Sequence, residues 1–148
     1  MAVKPVPEGY HTAVPYLIVN DADRLLTFLK TAFNGKVKEE HRTPDGKVMH
    51  ADVVIGDSHI MMGQANEKYR AMPGSVLLYV ADCDALYNAA LKAGAKSVQE
   101  LKDQFYGDRS GQFEDPFGHH WSVATHVEDV PPEEMERRAA EMMAEHPG

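Results

Sequence analysis

Residues 103–126, DQFYGDRSGQFEDPFGHHWSVATH, decide the fold of this chain. They read as a strand pair closed by the turn Asp115-Pro116-Phe117-Gly118. Proline presets φ at one turn position, and glycine tolerates the positive φ that another requires. Beyond the turn, residues 119–125 alternate. His120, Ser122 and Ala124 point one way, and Trp121, Val123 and Thr125 the other. Trp121 and Val123 are therefore expected in the core. The opposite side carries an imidazole and a hydroxyl, groups suited to a pocket.

Working outward, the same pattern occurs twice. Tyr16-Leu17-Ile18-Val19-Asn20-Asp21-Ala22-Asp23 resembles Leu77-Leu78-Tyr79-Val80-Ala81-Asp82-Cys83-Asp84: a short apolar strand, then an acidic cluster. Helical spacing follows each, at Ala22, Leu25, Leu26, Leu29, Ala32 and Phe33, and at Leu86, Ala89, Ala90 and Ala93. Asp21 and Asp82 are the expected N-caps, Gly35 and Gly94 the expected stops. Strand signals then cover 37–42, 48–55 and 58–62 in the first copy. In the second they cover 97–103, 109–114 and the strand after Gly118. The fold class is α+β, two βαβββ modules forming a half-barrel cleft, plus a C-terminal helix. The divisions are 1–64 for the first module with its N-terminal extension, 65–74 for a linker, 75–127 for the second module, and 128–148 for a helical tail. A sheet face covered by another subunit is the alternative to a ligand cleft.

The composition bounds the function. At 148 residues the chain is long enough for a real core. A net charge of −8 opposes nucleic acid and anionic membranes as partners. The single Cys83 forms no intrachain disulfide, which fits a reducing cytoplasm, and it reads as a small packing residue. The sequence shows neither a secretory signal pattern nor a long apolar segment, so a cytoplasmic location is expected. In the tail, Pro131-Pro132-Glu133-Glu134 starts a helix with acid at the positive end of its dipole. Met135, Ala139, Met142 and Met143 form an apolar stripe that the body or a second chain must cover. That stripe and the open sheet edges suggest a homodimer.

Four passages carry a family resemblance. They are His11-Thr12-Ala13-Val14-Pro15-Tyr16-Leu17, Asp45-Gly46-Lys47-Val48-Met49-His50-Ala51, Gln104-Phe105-Tyr106-Gly107-Asp108-Arg109, and Asp115-Pro116-Phe117-Gly118-His119-His120-Trp121. With the doubled βαβββ pattern, they make residues 11–143 resemble the vicinal oxygen chelate superfamily. It includes glyoxalase I, bleomycin-resistance proteins, epimerases and extradiol dioxygenases. Within it the chain looks most like the PhnB-like or glyoxalase-like branch. Metal-using members hold a divalent ion with His and Glu or Gln from both modules. The resemblance puts those positions at Val14, Met62, Ser75 and Ser122. Such a set makes a poor metal site. It counts against lactoylglutathione lyase activity, which needs a metal to stabilise an enediolate. No cofactor is expected at these positions.

A divergent site is the other possibility. Alternation along 48–55 puts His50 and Asp52 on the cleft side, facing His120 and Ser122 of the second module. His50, Asp52 and His120 would hold a divalent metal, or do acid–base work with Asp52 fixing a histidine tautomer, or only line a polar pocket. His11, His41, His59, His119 and His146 are expected at the surface or at strand ends, and His126 is left unassigned. Arg109 either receives an anionic ligand group or braces its loop by pairing Asp108, Glu114 or Asp115. Met62, Tyr106, Arg109 and Ser122 are the ligand-binding candidates. Three functions are open: a small-molecule binder in the manner of bleomycin-resistance proteins, a lyase, isomerase or dioxygenase using the divergent site, and a structural or partner-binding dimer.

Overall fold

The structure, a computed structural model, describes residues 3–145; His146 lies outside them. The first module comprises β1 (Tyr16–Val19), α1 (Ala22–Phe33), β2 (Lys36–Arg42), β3 (Val48–Ile55) and β4 (Ser58–Gln64). The second comprises β5 (Ser75–Tyr79), α2 (Cys83–Lys92), β6 (Lys96–Asp103), β7 (Asp108–Glu114) and β8 (His120–His126), and α3 (Pro132–Glu145) follows. Each module is a four-stranded sheet of one topology, in the order β1-β4-β3-β2 and β5-β8-β7-β6. The α+β fold with doubled βαβββ order is therefore present, together with the C-terminal helix.

The repeat extends to the helix caps. Asp21 and Asp82 accept bonds from the backbone N–H of Arg24 and Ala85, at 3.2 and 3.1 Å. At each helix start a second donor is met from the last strand of the sheet. Gln64 Oε1 takes the Ala22 N–H at 3.0 Å, and Thr125 Oγ1 takes that of Cys83 at 2.9 Å. The Asp115 turn forms as expected, with Gly118 at φ +92. At the end of α1 the detail differs: Asn34, with φ 54, takes the left-handed cap. Gly35 answers to packing instead, because a Cβ there would stand 2.6 Å from Val53 Cγ1.

The two sheets share no strand pairing. The modules meet through α1, α2 and one core drawn from both. Phe33, the last residue of α1, packs against the second module, with ring centroids 4.8 Å from Trp121 and 6.0 Å from Phe113. Trp121 is fully buried, as its place in the alternation predicts. The helix-covered sides of both sheets thus serve a common interior. Their opposite sides, the open faces, do not close on each other through hydrogen bonds within one chain.

The tail rests on the body by polar contacts. Arg138 pairs with Glu128 at 2.9 and 3.0 Å and donates to the Phe105 carbonyl at 3.1 Å. No residue of α3 is buried, and Met142 and Met143 stay exposed. The apolar stripe expected there is therefore only partly covered by the body, with Met135 and Ala139 half-buried.

Candidate functional site

Strand register defines the open faces. In the first module they carry Tyr16 and Ile18 from β1, His59, Met61 and Gly63 from β4, and His50, Asp52 and Val54 from β3. In the second they carry Ser75, Leu77 and Tyr79 from β5, His120, Ser122 and Ala124 from β8, and Asp108, Ser110 and Gln112 from β7. One sequence expectation is corrected here. Met62 pairs with Leu17 and is fully buried in the core, so it is not a lining residue. Met61, opposite Tyr16, is the counterpart of Ser122, opposite Leu77. A one-residue slip moves a side chain to the other face of a sheet.

His50, Asp52 and His120 all lie on open faces, but the structure does not gather them. His50 Nδ1 meets the Tyr16 hydroxyl at 3.1 Å. His120 lies between Ser75 Oγ and Gln112 Oε1, at 3.2 and 3.1 Å. Asp52 is fully buried and serves other partners: it accepts from the Tyr10 hydroxyl and from His59 Nδ1, the latter at 2.9 Å. The bond to Asp52, then burial, then the charges of Asp52 and Glu39 push the Tyr10 phenol up to about 12. Among the described residues, no three His, Cys, Asp or Glu side chains group to hold a metal ion. Val14, Met61, Ser75 and Ser122 offer a hydrocarbon, a thioether and two neutral hydroxyls, which do not fit a hard divalent ion.

Arg109 is taken up by carboxylates. Its Nε and Nη2 meet Asp84 at 2.8 and 3.1 Å, and Nη1 meets Asp103 at 3.4 Å. The Asp84 bond, then that to Asp103, raises its pKa further. It pairs with Thr125 in the register, on the helix side of the sheet, so it braces α2 there. Its partners are Asp84 and Asp103 rather than Asp108, Glu114 or Asp115. Tyr106 is partly exposed and edge-on to Phe105, with centroids 5.2 Å apart.

Two of the histidines expected at the surface or at strand ends stand at strand starts, with their side chains largely enclosed. His119 is buried, and its Nδ1 meets Asp115 Oδ2 at 3.0 Å. Asp115 also takes Trp121 Nε1 at 2.8 Å and the backbone N–H of Phe117 and His119 at 2.8 and 3.0 Å. Burial pushes the Asp115 carboxyl up, but the bonds from His119 and Trp121 outweigh it and hold the pKa below its usual value. His59 is the second. Alternation along β4 puts it on the face of Asp52, a signal the sequence held. Tyr10 lies in a segment without regular structure, where no periodicity points to it.

Several cavities open on the surface, among them one of about 640 Å³ between the Gly56-Asp57 turn and Leu77 and Tyr79 of β5; two others contrast most in lining. One of about 830 Å³ is a groove along the linker, lined by Asn20, Ala65, Asn66, Glu67, Arg70 and Ala71. The other, about 490 Å³, lies on the first open face between Tyr16, Ile18, Met49, Gly63 and Tyr69, with Gln64 and Asn66 at its rim. Gly63 makes room for this second one. A Cβ there would fall 2.8 Å from Tyr16 Oη, so its absence lets the phenol ring lie across β4. An apolar, aromatic wall with a few polar groups is the usual form of a small-molecule site, and the larger groove lacks it.

Fold and side chains together define a doubled βαβββ protein with open sheet faces and without a divalent-metal donor set at the matching positions. A model of the Glyoxalase/Bleomycin resistance protein/Dioxygenase superfamily matches residues 10–123. The chain belongs to that superfamily. It is 35% identical over 133 residues to the uncharacterised protein Rv0887c of Mycobacterium tuberculosis, covering 82% of this chain and 78% of that one. Among solved structures it is similar to TioX from Micromonospora sp. ML1, with a TM-score of 0.69 and 27% identity over 79% of this chain and 99% of TioX. A superfamily member from Sphaerobacter thermophilus shares the fold, with a TM-score of 0.60 and 18% identity over 78% of this chain and 96% of that one.

Proposed function

We propose that the protein binds a small organic molecule on its open sheet faces, without a divalent metal at the superfamily's usual ligand positions. One observation carries this reading. Tyr16, Leu77 and Tyr79 are 50%, 53% and 61% exposed on those faces, while the helix sides of the same strands are packed. Apolar and aromatic surface left open in this way costs free energy unless a ligand or partner covers it. The groove beside Tyr16 and Tyr69 has the size and lining for a ligand. A homodimer completes the site in this reading, with the first module's open face in one copy meeting the second module's in the other. Within the superfamily we place the chain in the PhnB-like, glyoxalase-like branch, on the four sequence passages above.

The test is a thermal-shift screen of the intact protein against varied small molecules, glycopeptide-like antibiotics among them, with mass measurement in solution. A ligand of the native state alone raises the melting temperature with concentration. A dimer with at least one saturable stabiliser supports the reading. A monomer that no compound stabilises contradicts it.

A further inference from the structure

Besides Asp52, the first open face holds one ionisable side chain that is nearly buried and only half partnered. The side chain of His59 is 8% exposed, and that of Asp52 is fully buried. Asp52 Oδ1 stands 2.9 Å from His59 Nδ1, while Oδ2 takes the Tyr10 hydroxyl. An ionised carboxylate only accepts, so Nδ1 must carry a proton. In the neutral ring, Nε2 is then the bare acceptor, the tautomer control that a buried aspartate exerts in hydrolytic triads. The Tyr10 ring stacks on the imidazole at a centroid distance of 3.8 Å, which covers a ring face and leaves the edge. Nε2 has no hydrogen-bond partner among the described residues. It lies beside Gly9, 3.9 Å from where a Cβ on that residue would stand, so only the missing side chain keeps its approach open. His119 Nε2 is also without a partner, but it is sealed in the core and no ligand reaches it.

We propose that His59 Nε2, oriented by Asp52, is the hydrogen-bond acceptor that anchors a ligand on the first open face. The ligand class follows from the surroundings. His59 and Gly63 stand four residues apart on β4, about 13 Å along a strand, with Met61 between them on the same face. An elongated molecule with an apolar or aromatic body in the Tyr16 groove would therefore reach Nε2 with its far end. That end must donate, as a hydroxyl or an amide N–H does. The molecule is not an anion, because Asp52 and Glu39 both act on Tyr10 beside the ring and oppose one.

This inference rests on the open face being a small-molecule site, and the experiment separates the two. Two probes share one body long enough to span that distance: 4-hydroxy-p-terphenyl has a donor, and 4-methoxy-p-terphenyl has the same rings with the donor blocked. Wild-type protein should bind the hydroxy compound about tenfold more tightly, the worth of one well-placed hydrogen bond. The His59→Ala variant should lose that preference. In 15N-histidine spectra of wild-type protein, Nε2 of His59 should show the unprotonated shift and move with the hydroxy compound only. Equal affinities in wild type, or a proton resident on Nε2 of the neutral ring, overturn the anchor and leave small-molecule binding standing. Binding of neither probe, with no shift at Tyr16 or His59, overturns the anchor for this ligand class. A thermal-shift screen without a stabiliser would then sink the wider reading as well. The wild-type measurements decide the matter whether or not the variant folds.

Discussion

The two modules use one chemical device differently. Each has an aspartate buried on its open face between a tyrosine hydroxyl and a histidine Nδ1. In the first these are Tyr10, Asp52 and His59. In the second, Asp108 takes Tyr79 at 2.7 Å and His126 at 2.8 Å. The positions are not equivalent in the repeat: Asp52 lies opposite Met61 in the middle of β4, and Asp108 opposite His126 at the end of β8. Each device also ties down a segment outside the sheet. Tyr10 pins the N-terminal segment, and Asp129, 2.7 Å from His126 Nε2, pins the start of the tail. The histidines carry the contrast. His126 is half exposed and has both nitrogens held by carboxylates. His59 is almost enclosed and has one nitrogen held. The second device is an ion-pair clasp, and the first keeps an acceptor in reserve.

Four outcomes break or sharpen this comparison. The largest concerns what the modules share. Phe33→Ala should cost about 4 kcal/mol in chemical denaturation, since it removes a buried aromatic from the joint core. The transition should stay single, because the modules do not have separate cores. Two resolved transitions in wild type would make the comparison one of independent domains. Next, Asp52→Ala should cost about 3 kcal/mol by stranding two polar partners and leaving a buried void. Asp108→Ala should cost about half as much, because Tyr79 and His126 are open enough to recruit water. Equal losses would erase the distinction between a sealed device and a solvated one.

The pH response should differ as well. The bonds to Asp108 and then to Asp129 raise the pKa of His126 in the folded state. Its stabilising contribution is therefore fully present below the unfolded histidine value, near about 6.5. It is lost as pH rises through the raised folded value. Denaturation midpoints should decline modestly across that window, and His126→Gln should flatten the decline. Solvent screening of a half-exposed pair keeps the effect small. A decline that persists in the variant would assign it to another group.

Much of the fold was legible because it repeats local signals. The paired acidic caps, the Asp115 turn and the period-two alternation each specify an element without knowledge of the rest. Alternation also placed Trp121 in the core and His50, Asp52, His120 and Ser122 on open faces. The site was less legible, because it depends on register and on contacts distant in sequence. Met62 and Met61 are adjacent and chemically identical, so only strand pairing reveals which one takes the open face. His50 and His120 share an orientation but sit in separate sheets, and facing the same way is not meeting. Tyr10 reaches Asp52 across forty-two positions from an irregular segment, so no local pattern announces it. At Arg109 the sequence fits ligand and brace alike, and the bidentate bond to Asp84 on α2 decides where it sits.

The most direct measurement is a residue map of where a stabilising ligand binds, by NMR of the tyrosine, methionine, leucine, histidine, asparagine and arginine side chains. The account predicts saturable shifts at Tyr16, Met61, Leu77 and Tyr79, the side chains on the open faces of both sheets. Shifts confined to Asn20, Asn66 and Arg70 along the linker groove would contradict it.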